Sequence, residues 1–150
     1  MIFTNKINFL NICSSGRLIS LDVGTKTIGI AITDATRKII TPVETLIRKG
    51  NKKDIPILIS MFKEKKVQGI IIGLPLSFDE KETDCSKFIG RFAENLSLST
   101  NLPIFLQDER LSSFEAEDLM LDIVGFNGTK KVVDKIAASY ILESFLNNNL

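Results

Sequence analysis

The chain alternates between short runs of apolar, mostly β-branched residues and longer segments in which apolar residues recur every three or four positions. Runs of the first kind are typical of strands, and segments of the second kind are typical of helices that bury one face. The pattern predicts five strands, at residues 18–22, 28–33, 39–47, 67–74 and 102–107. It predicts four helices, at about residues 54–66, 112–125 and 132–145, and one whose buried stripe lies within residues 88–96.

The order of these elements predicts the sheet. Three strands follow one another with short connections, which favours an antiparallel meander, and the last two each follow a helix, which favours parallel crossovers. The run at residues 67–74 is apolar almost throughout, so we expect a central strand that is covered on both faces. Pro42 predicts a bulge or an edge position for the third strand. The expected fold is α/β, with a five-stranded mixed sheet (three antiparallel strands, then two parallel) flanked by helices.

Residues 1–16 form an N-terminal extension that ends in a Ser-Ser-Gly break, and residues 17–150 form one domain. The extension lacks the ordered regions of a signal peptide, so we expect a packed or partly disordered segment. No apolar run approaches the ~20 residues of a membrane span. Cys13 and Cys85 lie far apart and outside any CxxC spacing, which favours a reducing compartment while leaving a disulfide between them open. We therefore expect a protein of a reducing compartment with no membrane partner.

Composition narrows the chemistry. The 150-residue chain is 44% apolar and 25% charged, with a net charge of +1, so no overall charge indicates a nucleic-acid partner. The chain has no histidine, which excludes a Ser-His-Asp triad and a His-ligated zinc site. Acid–base and metal chemistry must then depend mainly on Asp, Glu, Lys and water. Oxygen ligands favour hard cations, so the expected cofactor is Mg²⁺ or Mn²⁺.

The sequence LISLDVGTKTIGIAITD, which contains the first two predicted strands, holds the first candidate site residue. Asp22 ends the first strand, where a lone carboxylate is costly to bury unless it is paired, hydrogen-bonded or bound to a metal. Gly24 and Gly29 would let a phosphate-sized group approach the backbone. An Asp-x-Gly sequence is also a common turn, and this stretch alone supports both interpretations.

Acidic residues occur at three places, each at the end of a predicted strand or the start of a predicted helix. These places can come together at one edge of the sheet. Asp22 closes the first strand, Asp108 and Glu109 follow the fifth, and Asp134 lies in the first turn of the last predicted helix. Singly, each has an ordinary explanation, such as a favourable helix dipole or a loop start. Together they would repel one another unless a cation neutralised them. We therefore predict that these four acids are metal ligands and catalytic residues, around two ions ~3.5–4 Å apart that hydrolyse phosphodiesters.

Several cations and one hydroxyl are candidates for binding the substrate. Lys26 lies in the glycine-containing stretch, and Arg110 can bind a phosphate through two hydrogen bonds. Ser112 is a further candidate, although it also begins a capping box in the sequence SSFE. The lysines at 49, 52, 53, 130 and 131 could follow a nucleic-acid backbone, or could be solvated surface.

Four motifs together resemble a known family. In order, LDVGTKTIGIAITD, IIGLPLSFDE, DERLSS and KKVVDKIAASYIL resemble the motifs of YqgF-type pre-16S ribosomal RNA nucleases, over residues 17–147. That family is similar to Holliday-junction resolvases and shares the ribonuclease-H-like fold. The resemblance implies a bacterial, cytoplasmic, metal-dependent nuclease that acts in 5′-end maturation of 16S rRNA. By position, Asp22 matches the first family acid, the Asp108-Glu109 pair the second and Asp134 the third. Neighbours on a strand face opposite ways, so the choice between Asp108 and Glu109 stays open and both are kept.

The sequence departs from the family at two places and leaves other functions open. Residues 77–80 read SFDE where the family usually has Asn-Met-Asp-Gly, and Ser113 stands where Thr is common. The Asp-x-Gly-Thr of residues 22–25 also opens the phosphate loop of actin-like and sugar-kinase ATPases, although those enzymes use two duplicated domains. A silent RNA- or protein-binding module and a DNA resolvase are further alternatives. The expected partner is RNA (pre-rRNA) or structured DNA, bound by a monomer or a homodimer.

Overall fold

The computed structural model describes residues 1–74, 84–108 and 130–147, without the side chains of residues 130–135. The described strands are β1 (Ile2–Phe3), β2 (Arg17–Val23), β3 (Thr27–Thr33), β4 (Ile40–Ile47), β5 (Val67–Leu74) and β6 (Ile104–Asp108). The described helices are α1 (Lys6–Ile12), α2 (Asn51–Glu64), α3 (Asp84–Ser99) and α4 (Lys130–Asn147). The helix predicted to begin at Ser112 lies outside the described residues.

The described strands form one mixed sheet in the order β1-β6-β5-β2-β3-β4. Strands β2, β3 and β4 are antiparallel neighbours, and β5 is parallel to both β2 and β6. Ile70, Ile71 and Ile72 of β5 are fully buried, because helices cover both faces of this strand. The predicted α/β fold and the central position of the fourth predicted strand are confirmed. The sheet has one strand more than the five expected.

Pro42 lies where the pairing of the edge strand β4 is irregular. Ile30 of β3 pairs with Glu44, whereas the next residue, Ala31, pairs with Pro42, so Val43 is an extra residue on β4. The register shift accommodates a residue that has no amide hydrogen to donate. The prediction of a bulge or an edge position for Pro42 is confirmed in both respects.

The sheet separates two apolar clusters. One face packs against α2 and α3, whose buried side chains include Leu58 and Phe92. The other face packs against α1 and α4, with Phe9 and Phe145 in the cluster. Side chains alternate along a strand, so Ile19 and Leu21 of β2 join the first cluster while Leu18 joins the second. The side chain at each strand position therefore lies either on the face covered by α2 and α3 or on the face covered by α1 and α4.

The N-terminal residues are part of this structure. Strand β1 pairs in parallel with β6 and supplies the sixth strand. Phe9 of α1 is fully buried, with ring centroids 5.7 Å from Phe105 and 5.6 Å from Phe145. Ile7, in the same helix, is 52% exposed, so Phe9 provides the buried contact. The extension is therefore packed against the domain.

Helices α2 and α4 begin earlier than the sequence pattern indicates. The predicted start of α2 at residue 54, with Asp54 in the role of N-cap, is wrong, because α2 begins at Asn51 and its cap residue is Gly50, at a φ of 107°. The Asp54 carboxylate accepts hydrogen bonds from the backbone of Lys49 and Gly50, ahead of the helix. Helix α4 begins at Lys130, so Asp134 lies in its second turn.

The turn between β3 and β4 is held by a carboxylate. Asp34 accepts hydrogen bonds from the backbone amides of Lys38, at 2.8 Å, and Ile39, at 3.0 Å, and from the Thr36 hydroxyl. The hydrogen bond from Thr36, followed by the backbone hydrogen bonds, lowers the pKa of Asp34 from 3.8 to about 2. The folded protein therefore binds this proton less readily than the unfolded chain does.

That pKa predicts an acid-dependent contribution to stability. Because the folded pKa is depressed, stabilisation by the Asp34 carboxylate is complete above about pH 4 and is lost as the pH falls toward about 2. We expect the difference in urea midpoint between the wild type and Asp34→Asn to be largest at about pH 6 and clearly smaller at about pH 3. A difference that did not change with pH would contradict this assignment.

Candidate active site

Asp22 lies at the carboxyl end of β2, as the penultimate residue of that strand. It is half-buried. Alternation along β2 places Asp22 on the same face as Leu18, which contributes to the cluster beneath α4. In a sheet with parallel strands, ligands bind at the carboxyl ends. The predicted strand-end position of Asp22 is therefore confirmed, while its part in metal binding stays a prediction.

Glycines flank Asp22 on both neighbouring strands. On β3, Gly29 is its direct pairing partner. On β5, Ile72 pairs with Leu21, so Gly73 is the residue level with Asp22. Glycine within a strand often marks the close approach of a ligand or another backbone, since there is no side chain to occupy the space. The strands on either side of Asp22 therefore present no side chain at its level, and both glycines are buried.

The register of β6 puts Asp108 on the opposite face of the sheet from Asp22, although the two acids were predicted to meet. Gly73 pairs with Gln107 and Leu74 pairs with Asp108. Phe105 packs in the cluster beneath α4, so alternation gives Gln107 the face of Asp22. The same alternation gives Asp108 the opposite face, and Asp108 is exposed. Asp22 and Asp108 thus share an edge of the sheet but not a face, and Glu109 lies outside the described residues.

Helix α4 is tied to β2 close to Asp22. The Ser20 hydroxyl, two residues before Asp22, donates a 2.6 Å hydrogen bond to the Ala138 carbonyl. Ser20 and Ala138 are fully buried and Ala137 is 8% exposed. The small side chains of Ala137 and Ala138 allow the helix to pack closely on the sheet.

The direction of α4 follows from two of its residues, Ala138 near the middle and Phe145 near the C-terminus. Ala138 is bonded at the level of Ser20, whereas Phe145 contacts Phe9, whose ring lies against Gly69 near the start of β5. The helix therefore runs from the carboxyl ends of the parallel strands toward their amino ends. The backbone at position 134, one turn before Ala138, lies toward the Asp22 end, and the side chain of Asp134 lies outside the described residues.

Of the residues predicted to bind the substrate, one is described by the structure and two are not. Lys26 is exposed in the turn that joins β2 to β3, directly after the strand of Asp22. Arg110 and Ser112 lie outside the described residues. Among the described residues, no group of three or more His, Cys, Asp or Glu side chains could hold a metal ion. Two of the four predicted ligands, Glu109 and the side chain of Asp134, fall outside that search, so the metal site stays a prediction.

Register brings further residues to this region that the sequence pattern does not indicate. Gly73 and Gln107 lie level with Asp22 on the next two strands, and Ser20 links the same face to α4. Gln107 is 8% exposed. The sequence does carry one signal, since Ser20 precedes Asp22 by two residues and so shares its face. The positions of Gly73 and Gln107 depend on register, which the strand pattern alone does not fix.

The family to which the chain belongs follows from comparison with known proteins. The family model described as "RuvX: Holliday junction resolvase" matches residues 16–148. The chain belongs to the RuvX family. This membership confirms the resemblance predicted from the four motifs.

Curated relatives of this RuvX-family chain carry the name "Putative pre-16S rRNA nuclease". The protein of that name from Rhodopseudomonas palustris strain BisA53 is 41% identical over 133 residues, which cover 88% of this chain and 82% of the relative. The protein from Bradyrhizobium sp. strain BTAi1 is 40% identical over 135 residues, with coverage of 87% and 82%. The protein from Cereibacter sphaeroides is 41% identical over 133 residues, with coverage of 88% and 83%.

Solved structures share the fold of this RuvX-family chain at low sequence identity. Thermus thermophilus RuvC in complex with Holliday junction substrate has a TM-score of 0.56 at 9% identity, covering 87% of this chain and 94% of that chain. The fowlpox virus Holliday junction resolvase has a TM-score of 0.53 at 16% identity, covering 87% and 97%. These likenesses confirm the ribonuclease-H-like architecture. None of the described helices combines the length and hydropathy of a bilayer-crossing segment.

Proposed function

We propose that this chain is a metal-dependent endonuclease that hydrolyses phosphodiester bonds in the 5′-end maturation of pre-16S rRNA. The observation that carries the proposal is the half-buried Asp22 at the carboxyl end of β2. Gly29 on β3 and Gly73 on β5 lie level with it on the two neighbouring strands. A carboxylate is costly to bury unless it is paired, hydrogen-bonded or bound to a metal, and the carboxyl ends of parallel strands are where α/β sheets hold their ligands. Relatives named as pre-16S rRNA nucleases support the choice of substrate.

The proposed ligands are Asp22, Glu109 and Asp134. Glu109 follows Asp108, and one further step of strand alternation would give it the face of Asp22. Position 134 precedes Ala138 by one helical turn and so shares its side of α4. All of these donors are carboxylate oxygens, which fit Mg²⁺ or Mn²⁺. When bound, such ions polarise the phosphate and make water a stronger nucleophile.

Each proposed site residue then has a distinct role. Asp22, Glu109 and Asp134 provide the anionic oxygens, and the glycines beside Asp22 put no side chain level with it on the adjacent strands. Lys26, exposed in the turn after β2, balances phosphate charge at the same edge. Arg110 and Ser112 follow Glu109 in sequence and are proposed as further phosphate contacts. Asp108, on the opposite face, is not a ligand in this scheme.

Structured DNA is the second candidate substrate, favoured by the resolvase description of the family. Cutting a four-way junction requires two sites, and hence a homodimer, whereas trimming a precursor RNA requires only one, which a monomer provides. The cytoplasm is the proposed location, since pre-rRNA is processed there. Cys13 and Cys85 are both free thiols, in keeping with a reducing compartment.

One assay decides between the substrates. The protein is incubated with a pre-16S rRNA fragment that spans the mature 5′ end and, separately, with a four-way DNA junction, each with Mn²⁺ or with EDTA. We expect cleavage of the RNA that requires Mn²⁺, and junction cleavage at least about tenfold slower. A mature 16S fragment of equal length is the control. Paired symmetric nicks in the junction with intact RNA would favour the resolvase, and no cleavage of either would overturn the proposed function.

A further inference from the structure

Arg48, the residue directly after β4, makes a set of polar contacts inside the protein. Its side chain is 7% exposed. Nε donates to the Asp54 carboxylate at 3.2 Å, Nη1 donates to the Gly24 carbonyl at 3.0 Å, and Nη2 donates to the Asn51 side chain. All three guanidinium nitrogens are therefore engaged, and the acceptors come from two segments that are distant in sequence.

Aromatic rings and backbone amides complete the surroundings of this pair. The guanidinium carbon lies 5.2 Å from the ring centroid of Phe92 and 5.5 Å from that of Phe88, both in α3. The Asp54 side chain is 1% exposed and also accepts hydrogen bonds from the amides of Lys49 and Gly50. Buried ion pairs often add no more stability than apolar residues of similar volume, whereas their geometry is strongly directional. A positioning role explains the pair better than stability alone.

The segment that Arg48 holds is the turn after Asp22. Besides the guanidinium bond to Gly24, the backbone amide of Arg48 donates to the Lys26 carbonyl at 2.9 Å. Within the turn, the Gly24 amide donates to the Thr27 carbonyl at 2.8 Å. One residue thus holds the carbonyls on both sides of Thr25, in the turn that carries Lys26 and directly follows the strand end of Asp22.

We propose that Arg48, oriented by Asp54, is a positioning residue for the cleavage reaction: it fixes the turn of residues 24–26 so that Lys26 meets the substrate phosphate. The inference rests on the proposed function for its catalytic consequence. Arg48 does not touch the substrate, since its side chain is enclosed by α2 and α3. Lysine cannot replace it, because a single ammonium lacks the fixed fork of donors that reaches Gly24, Asn51 and Asp54 together.

Hydrogen exchange tests the positioning itself. Exchange of the Gly24 amide is compared in the wild type, Arg48→Lys, Asp54→Asn and the control Arg91→Lys, which changes an exposed arginine of α3. We expect Arg48→Lys and Asp54→Asn to speed exchange at Gly24 roughly tenfold, with protection in the middle of β2 and β5 unchanged. The control should match the wild type. Unchanged exchange at Gly24 in a folded Arg48→Lys protein, or in Asp54→Asn if the first variant does not fold, would overturn the proposal.

A double-mutant cycle tests the consequence for catalysis. Lys26→Ala is expected to lower kcat/KM on the RNA fragment roughly tenfold in the wild type but less than about twofold in Arg48→Lys, because an unfixed Lys26 already contributes little. In Arg91→Lys the effect of Lys26→Ala should remain roughly tenfold. Effects of Lys26→Ala and Arg48→Lys that simply multiply would mean that Arg48 is only structural, and would overturn the proposal. If the wild type cleaves no RNA, the proposed function fails, while exchange at Gly24 still decides whether Arg48 positions the turn.

Discussion

Replacement of Asp22 by Asn is expected to lower metal-dependent RNA cleavage by about 10³-fold or more. A bound divalent ion supplies several kcal/mol of transition-state stabilisation, and about 4 kcal/mol corresponds to 10³-fold in rate. The amide keeps the shape of the carboxylate but not its charge, so an ion at the end of β2 would lose a ligand. Thermal unfolding should change little, because Asp22 is only half-buried. Single-turnover cleavage in Mn²⁺ and a melting curve measure the two effects.

Asp34→Asn is the matched control for Asp22→Asn. It makes the same chemical change after β3, at the opposite edge of the sheet from Asp22. We expect Asp34→Asn to cleave RNA at the wild-type rate near neutral pH. Cleavage by purified Asp22→Asn at a rate within about tenfold of the wild type would contradict the assignment of Asp22 as a ligand.

Substitutions of the two neighbouring acids that follow the fifth predicted strand, Asp108 and Glu109, should affect cleavage very differently. Glu109→Gln is expected to reduce cleavage about 10³-fold, whereas Asp108→Asn should change the rate by less than about threefold. The reason is alternation: Asp108 shares the face of Ile104 and Leu106, which pack on the α2 and α3 side, and Asp22 lies on the other. Parallel single-turnover assays of the two purified variants measure the contrast.

Thermal melts of both variants separate lost activity from lost folding. An inactive Asp108→Asn with an active Glu109→Gln would reverse the proposed assignment. Equal losses in both variants, with unchanged melting temperatures, would mean that the second ligand position is shared and that alternation does not decide it.

Local patterns were sufficient for much of the fold. The apolar run from Ile70 to Ile72 predicted a central strand because two covered faces require apolar residues at every position. Pro42 predicted its own bulge because a missing amide hydrogen is a property of the residue itself. Asp22 was found for a similar reason, since a carboxylate that ends an apolar run is visible without any knowledge of the neighbours.

Features that depend on distant partners were missed or left open. Strand β1 has two residues and forms only because it pairs with Ile104 and Phe105, about one hundred positions away. Asp54 has the local signature of an N-cap, yet Arg48 and the preceding amides bind its carboxylate instead. The choice between Asp108 and Glu109 needs the register of β6, which local sequence does not supply.

The central claim is that Asp22 and the other acids hold divalent ions at the carboxyl end of β2. Anomalous diffraction from a crystal soaked in Mn²⁺ tests it most directly. We expect a peak at about 2.1 Å from a carboxylate oxygen of Asp22, with Glu109 and Asp134 as the other protein ligands. An ordered Asp22 with no peak in contact with it, in a crystal that binds Mn²⁺ elsewhere, would contradict the account.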